Sequence, residues 1–271
     1  MGSRSIDRAR EFAGRYGAPN AHGSYEDLAA DPDVDIVYVA TVQSRHMDDT
    51  LMFIEAGKHV LCEKPLSRRV ADVERAFAAA EEADRFLMEA FMWRHHPQTA
   101  KLQELVAQEA VGPTRLVRAT FSFPLTDPGN VRLSGPLEGG ALMDVGCYCV
   151  SGLRLVAGEP EVVSAQMNLA PDDGSGIPVD VRTAAVMRHP GGVLSTFDCA
   201  LALAGRDELE VVGEHGTLRL DDPWHARDAL LEVRREGVVE AVPVTTADSY
   251  RPELGNLSAP LRADAAPLLG R

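Results

Sequence analysis

Residues 34–41 read VDIVYVAT. This near-continuous apolar run is rich in β-branched residues, the pattern of a strand covered on both faces in a parallel sheet. The flanking segments extend the pattern. A helix with Met47, Leu51 and Ile54 in phase closes at Gly57. A strand over HVLCE (59–63) follows, then the loop KPLS, a helix keeping Val70, Val73, Phe77 and Ala80 in period, and a strand over FLMEAFMW (86–93). Repeated strand–helix–strand units predict right-handed crossovers and a Rossmann-like, doubly wound parallel sheet. Such sheets bind ligands at the carboxyl ends of their strands, here 41–46, 63–65 and 89–95. Upstream, 5–16 predicts an amphipathic helix with Ala9, Phe12, Ala13 and Tyr16 on one stripe and Gly17 as its stop. Ser24 and Asp27 resemble a capping box for the short helix SYEDLAA, which Pro32 ends.

The character changes after a helix over 97–110, opened by Pro97 and ended by Gly112. The expected domains are 1–112, dinucleotide-binding, and 113–271, for substrate and dimerisation. In the second, 114–123 alternates with Val117, Ala119, Phe121 and Phe123 on one face. Likewise 161–169 puts Val163, Ala165, Met167 and Leu169 inside and Ser164, Gln166 and Asn168 outside. Further strands are predicted at 181–189, 193–203, 208–213, 217–221, 229–235 and 238–244. Hairpin signals lie at Pro190-Gly191-Gly192, Glu214-His215-Gly216 and Glu236-Gly237. The result is an open, mostly antiparallel sheet with a 139–157 helix on one face, and a flexible loop at 172–176.

Composition removes several function classes. A formal charge of −14 and the lack of a basic run argue against nucleic acid. No segment approaches the roughly 18 consecutive apolar residues of a membrane span. The polar start MGSRSIDRAR lacks a signal-peptide core, so a cytoplasmic location is expected. The four cysteines form no disulfide framework and read as reduced. The histidines at 22, 59, 189, 215 and 225 show no metal-ligand spacing, and no metal is expected.

Two stretches carry chemistry. In Glu138–Val150, EGGALMDVGCYCV, Leu142, Val145 and Cys149 keep helical period, which places Asp144 and Tyr148 four apart on one face. A carboxylate and a phenol on a mostly apolar helix are costly without partners or a substrate. Taken alone, this stretch reads more readily as a helix cap and a buried tyrosine. Cys62-Glu63-Lys64-Pro65 shifts the weight, because a lysine directly after a buried strand is poorly explained as a solvated loop residue. No G-x-G-x-x-G occurs, and the chain starts as though the first strand, its glycine turn, the next helix and most of the second strand were missing.

Together, VDIVYVATVQSRH, AGKHVLCEKPLS, MEAFMWRHHP, GGALMDVGCYCV and GEHGTLRL resemble the Gfo/Idh/MocA oxidoreductases over nearly the whole chain. The tyrosine in DVGCYCV resembles the branch of glucose–fructose oxidoreductase, dimeric dihydrodiol dehydrogenase and NADP-linked xylose dehydrogenases. The resemblance implies hydride transfer between a nicotinamide cofactor and a sugar, polyol or diol carbon. It also implies a homo-oligomer formed through the C-terminal sheet. It assigns Tyr148 as acid/base, Lys64 as its partner and substrate anchor, and Asp144 to orienting substrate or balancing Lys64. A free phenol, with a pKa of about 10, is a poor base near neutrality, and a neighbouring ammonium lowers that value.

By the same correspondence Thr41, Gln43, His46, Glu63 and Lys64 line the cofactor pocket, and Trp93 and Arg94 lie near the nicotinamide. Ser3 and Arg4 fall beside the adenine ribose, where an arginine favours the 2′-phosphate of NADP over NAD. Bland readings stand beside these: Arg4 solvated, Trp93 core, His46 a helix-start cap, His95 and His96 structural. Relatives continue beyond PLLGR, so the sequence reads as truncated at both ends. The alternative is a non-catalytic, cofactor-free scaffold or sugar-binding subunit, or an inactive fragment.

Overall fold

The computed structural model describes residues 1–171, 174–245 and 247–263, with side-chain environments through Ser258. Asp172 and Asp173 of the expected flexible loop, and the PLLGR end, lie outside the described residues. The chain forms two compact units, Met1–Ala90 and Phe91–Arg271. The segment 91–112, grouped with the first domain in the sequence reading, falls in the second unit.

In the first unit, β1 (Ile36–Val39), β2 (His59–Glu63) and β3 (Leu87–Ala90) pair in parallel in the order β1-β2-β3. Helix α3 (His46–Glu55) connects β1 to β2, and α4 (Val70–Glu82) connects β2 to β3. Val37, Val39, Val60 and Cys62 meet Phe53, Ile54, Ala76 and Ala80 in one apolar cluster. The strands are shorter than their apolar runs. β3 stops at Ala90, whose register partner is Glu63, the last residue of β2, and a 3₁₀ turn over Met92–His95 takes up the rest of FLMEAFMW. β1 is not covered on both faces as expected: Tyr38 is 49% exposed. Helix α1 (Ile6–Tyr16) buries Ala9 and Ala13, while Phe12 and Tyr16 of the same stripe are exposed and pack on each other at 4.6 Å. The Ser24 hydroxyl accepts from the Asp27 amide and caps α2 (Tyr25–Ala30).

The second unit is built on an eight-stranded sheet ordered β11-β10-β9-β8-β4-β7-β6-β5. Its strands are β4 (Thr114–Pro124), β5 (Val162–Leu169), β6 (Asp180–Arg188), β7 (Leu194–Ala200), β8 (Ala202–Gly213), β9 (Thr217–Leu220), β10 (Leu231–Arg235) and β11 (Val238–Val242). All neighbours are antiparallel except the central β4–β7 pair, so the sheet is mixed. Before it lies α5 (Pro97–Ala107), capped by His96. Helix α6 (Cys147–Ala157) buries Tyr148, Cys149 and Leu153 against Val117, Phe121, Phe197 and Leu209. A final helix, α7, spans Tyr250–Ala263.

Two details differ from the sequence reading. The 139–157 helix is not uniform: Leu142–Gly146 is a π-helical turn, and α-helix starts only at Cys147. Single π turns inside helices recur at functional sites. On β5, Val163, Met167 and Leu169, expected inside, are each more than half exposed. Their phase is as read, because Val163 and Met167 pair with the buried Met187 and Thr183 of β6. β5 is the sheet's edge strand, paired only with β6.

Candidate active site

In the first unit the polar groups gather where β1 and β2 end. Asp49 is 1% exposed and accepts from the Thr41 hydroxyl at 2.8 Å and from Arg45 Nη2 at 2.6 Å. That hydrogen bond holds the Arg45 guanidinium above its ordinary pKa. His46, 2% exposed, sets Nε2 3.0 Å from the Thr41 carbonyl and Nδ1 2.9 Å from the Pro65 carbonyl. It therefore joins the turn after β1 to the loop after β2. Gln43, on a 3₁₀ turn, carries a buried Nε2 with no hydrogen-bond partner among the described residues.

Glu63 ends β2; one carboxylate oxygen accepts from the Tyr38 hydroxyl and the other from the Lys64 amide at 3.2 Å. The Lys64–Pro65 peptide is cis. Glu89 holds the far side of this loop by accepting from the Leu66 amide at 2.8 Å. Burial pushes the Cys62 thiol up to about 12, so it stays protonated and unreactive near neutrality. At the chain start, the Ser3 amide donates to the His22 carbonyl at 3.1 Å and Arg4 is exposed.

In the second unit Tyr148, 6% exposed, stands among aromatic rings. Phe91 and Phe121 meet it edge-on, each at 5.4 Å, and Trp224 lies 6.0 Å away. Its hydroxyl is 3.5 Å from Met92 Sδ. Edge-to-face contacts of this kind fix a ring's orientation as well as burying it. Asp144, on the π turn, accepts from Arg132 Nε at 2.7 Å. Trp93 is fully enclosed, edge-on to Trp224 at 5.1 Å, with its carbonyl taken by the Thr99 hydroxyl. Trp93 is thus core of the second unit, whereas His46 opens α3 without capping it, its ring facing two carbonyls instead of the helix's first amides. Arg94 is half-buried on the same 3₁₀ turn as Trp93.

Several site residues were missed in the sequence. Arg132 is a lone loop arginine with no signature. The rings of Phe91, Phe121 and Trp224 come from three distant segments, and no local spacing joins them. Asp207, Asp222 and His225 also converge, with His225 Nδ1 3.1 Å from Asp207 and 3.7 Å from Asp222. The Arg227 guanidinium, 3.1 Å from Asp222, supplies a cation to this group. Burial pushes the Asp207 carboxyl above its usual range.

Comparison with known proteins bears on both units. A family model described as "Oxidoreductase family, NAD-binding Rossmann fold" matches residues 1–91, and one described as "GFO/IDH/MocA C-terminal domain" matches 99–219. The trans-1,2-dihydrobenzene-1,2-diol dehydrogenase of Oryctolagus cuniculus is 35% identical over 94% of this chain and 77% of its own length. Among solved structures, the aldose-aldose oxidoreductase from Caulobacter crescentus, complexed with glycerol, superposes with a TM-score of 0.91 at 28% identity. The match covers 99% of this chain and 82% of that one. The 3-ketoreductase KijD10 from Actinomadura kijaniata, in complex with NADP and TDP-benzene, has a TM-score of 0.87 at 27% identity, over 98% and 82% of the two chains. No helix among the described residues is long and apolar enough to cross a membrane.

Proposed function

The chain belongs to the Gfo/Idh/MocA family of NAD(P)-binding oxidoreductases, and from that premise we propose that it interconverts a hydroxyl and a carbonyl on a sugar, polyol or diol, with Tyr148 as the acid/base. The observation that carries this reading is the setting of Tyr148: a phenol held edge-on by two aromatic rings, on the helix whose first turn presents Asp144.

The first unit's residues fit a nicotinamide dinucleotide on one count above others. The buried, unpartnered Gln43 Nε2 is a donor at the carboxyl end of a parallel strand, where such a ligand brings acceptors. Thr41, Gln43, Glu63 and Lys64 would hold it, with Ser3 and Arg4 toward the ribose and Arg94 toward the nicotinamide. An exposed guanidinium at position 4 favours NADP over NAD through a 2′-phosphate. When bound, the cofactor supplies a hydride acceptor or donor. The chain's own residues manage the proton. Tyr148 takes it from the substrate hydroxyl as the carbonyl forms, and returns it in the reverse direction. Lys64 contributes the positive charge that favours the phenolate. Asp144 accepts from a substrate hydroxyl and orients the carbon that reacts.

The second unit is also proposed to self-associate through its sheet. The face bearing Arg118, Thr120, Ala184, Val186, Asp198 and Glu210 lines a shallow depression of about 640 Å³. An uncovered sheet face of this breadth suits a second copy.

The test is a titration of the 271-residue chain with NADPH and separately NADH, following tryptophan quenching, together with NADP-dependent oxidation of D-glucose and of a vicinal diol. NADPH-preferring binding and turnover of either substrate is expected. A folded sample that binds neither nucleotide would overturn the proposal.

A further inference from the structure

The Gly139-Gly140 pair, which opens the π turn, carries a strap across itself. Arg132 lies on a 3₁₀ turn over Val131–Leu133, and its amide donates to the Asn130 side chain at 3.0 Å. Its carbonyl accepts from the Gly140 amide at 2.9 Å. A Cβ at Gly139 would land on that same carbonyl. The backbone of Arg132 is thus fixed from both sides, and its guanidinium lies over the Phe123 ring, 5.9 Å from the centroid.

What this fixing holds is unusual for an ordinary ion pair. Only Nε reaches Asp144, at 2.7 Å, and neither Nη has a hydrogen-bond partner among the described residues. The Arg132 side chain remains 42% exposed while Asp144 is 15% exposed. An arginine recruited only for stability would use its fork in bidentate fashion, and a half-exposed single contact contributes little to stability. A pinned guanidinium with two free donors beside a carboxylate acceptor makes a donor–acceptor pair instead. Two adjacent hydroxyls are the complementary group, since each can donate one hydrogen bond and accept another.

We propose that Arg132 is a specificity-determining residue, donating through its Nη atoms to a substrate hydroxyl next to the one that accepts or loses the hydride, while its Nε holds Asp144 in place. The assignment rests on the oxidoreductase reading above. The substrate class it selects has two neighbouring hydroxyls, one read by Asp144 and the other by Arg132. An isolated alcohol uses only half of the pair.

The experiment compares wild type, Arg132→Met and Arg132→Lys in NADP-dependent oxidation of D-glucose and of cyclohexanol, with NADPH affinity followed by tryptophan quenching. Arg132→Met is expected to raise the KM for glucose by about tenfold or more with kcat changed less than about threefold, because the lost contact is uniform binding. Arg132→Lys should recover part of this loss, NADPH affinity should be unchanged, and any cyclohexanol turnover should fall by less than that of glucose, because it loses only the hold on Asp144. An unchanged KM for glucose, or equal losses on both alcohols, would overturn the proposal. If the wild-type chain oxidises neither alcohol, the oxidoreductase reading fails first. Glucose binding by saturation-transfer NMR then decides the role of Arg132: a signal lost in Arg132→Met supports it, and a signal retained there or absent from the wild type overturns it.

Discussion

A single buried ring, His46, lies between the Thr41 carbonyl at 3.0 Å and the Pro65 carbonyl at 2.9 Å. The turn after β1 and the loop carrying Lys64 therefore share one fastening. His46→Ala would remove the ring N–H from whichever carbonyl accepts it and leave a gap at a 2% exposed position. A loss of about 1–3 kcal/mol is expected from the unpaired carbonyl alone, read as a lower urea midpoint. Nucleotide affinity should fall with it, because residues on both joined loops are assigned to the cofactor. An unchanged midpoint would show that the ring fastens nothing.

Tyr148→Phe separates chemistry from packing. The hydroxyl's contact with Met92 Sδ is long, at 3.5 Å, while the ring makes the edge-on contacts with Phe91 and Phe121. Phenylalanine keeps those ring contacts. Turnover should drop by about 10²-fold or more, the range for loss of a general acid/base, with nucleotide affinity nearly unaltered. Full activity in the variant would remove Tyr148 from the proton's path.

Two glycines should respond in opposite senses to alanine. At Gly14, inside α1, an added methyl meets nothing within 4 Å. Gly14→Ala should stabilise the first unit by about 0.5–1 kcal/mol through helix propensity. At Gly139 the methyl would collide with the Arg132 carbonyl, so the strap must move. Gly139→Ala is expected to destabilise by about 1–3 kcal/mol, the usual cost of overpacking. It should also weaken glucose binding, because Arg132 moves with the strap. Parallel thermal melts of the two variants check the contrast.

These glycines also show where the sequence was readable. GGALMDVGCYCV read as a helix opened by two glycines, and the structure has that helix with a π turn at its start, but nothing in the string indicated that the Arg132 carbonyl would lie against Gly139. Period and composition located β1, β2 and α4 because apolar spacing reports burial directly. They failed at Tyr38, where a β-branched, aromatic run suggested cover on both faces, and at β5. There the alternation gave the right face but could not reveal that the strand would lie at the sheet's edge. Side chains that meet from distant segments, as Trp224 meets Tyr148, leave no local trace. The motifs that carry Lys64 and Tyr148 stand out in the string, whereas the Arg132–Asp144 contact joins segments that no local pattern links.

Acid should weaken the fold through a group of histidines with one geometry. Burial lowers the pKa of His59, His95 and His96, and of His95 to about 4. In each, Nδ1 faces an N–H donor: the Phe86 amide at 2.9 Å, the Asn256 side chain at 3.0 Å and the Gln98 amide at 3.1 Å. Only an unprotonated Nδ1 can accept there. The unfolded chain takes up protons near pH 6.5, before the folded one does. Between that value and about 4 for His95, the unfolded state therefore binds more protons, and stability rises with pH across the window. Full stability from these groups is present above about pH 6.5 and is lost as pH falls through the window. Asp207 works in the opposite sense: burial raises its pKa, so its contribution is whole below the unfolded value and declines as pH rises through the folded one. Urea midpoints should therefore fall from pH 7.5 toward pH 4.5, by roughly the sum of the histidine effects less that of Asp207. His95→Gln, which keeps an acceptor for Asn256 without titrating, should make the descent shallower. A variant whose midpoint falls as steeply as wild type would show that His95 does not carry this dependence.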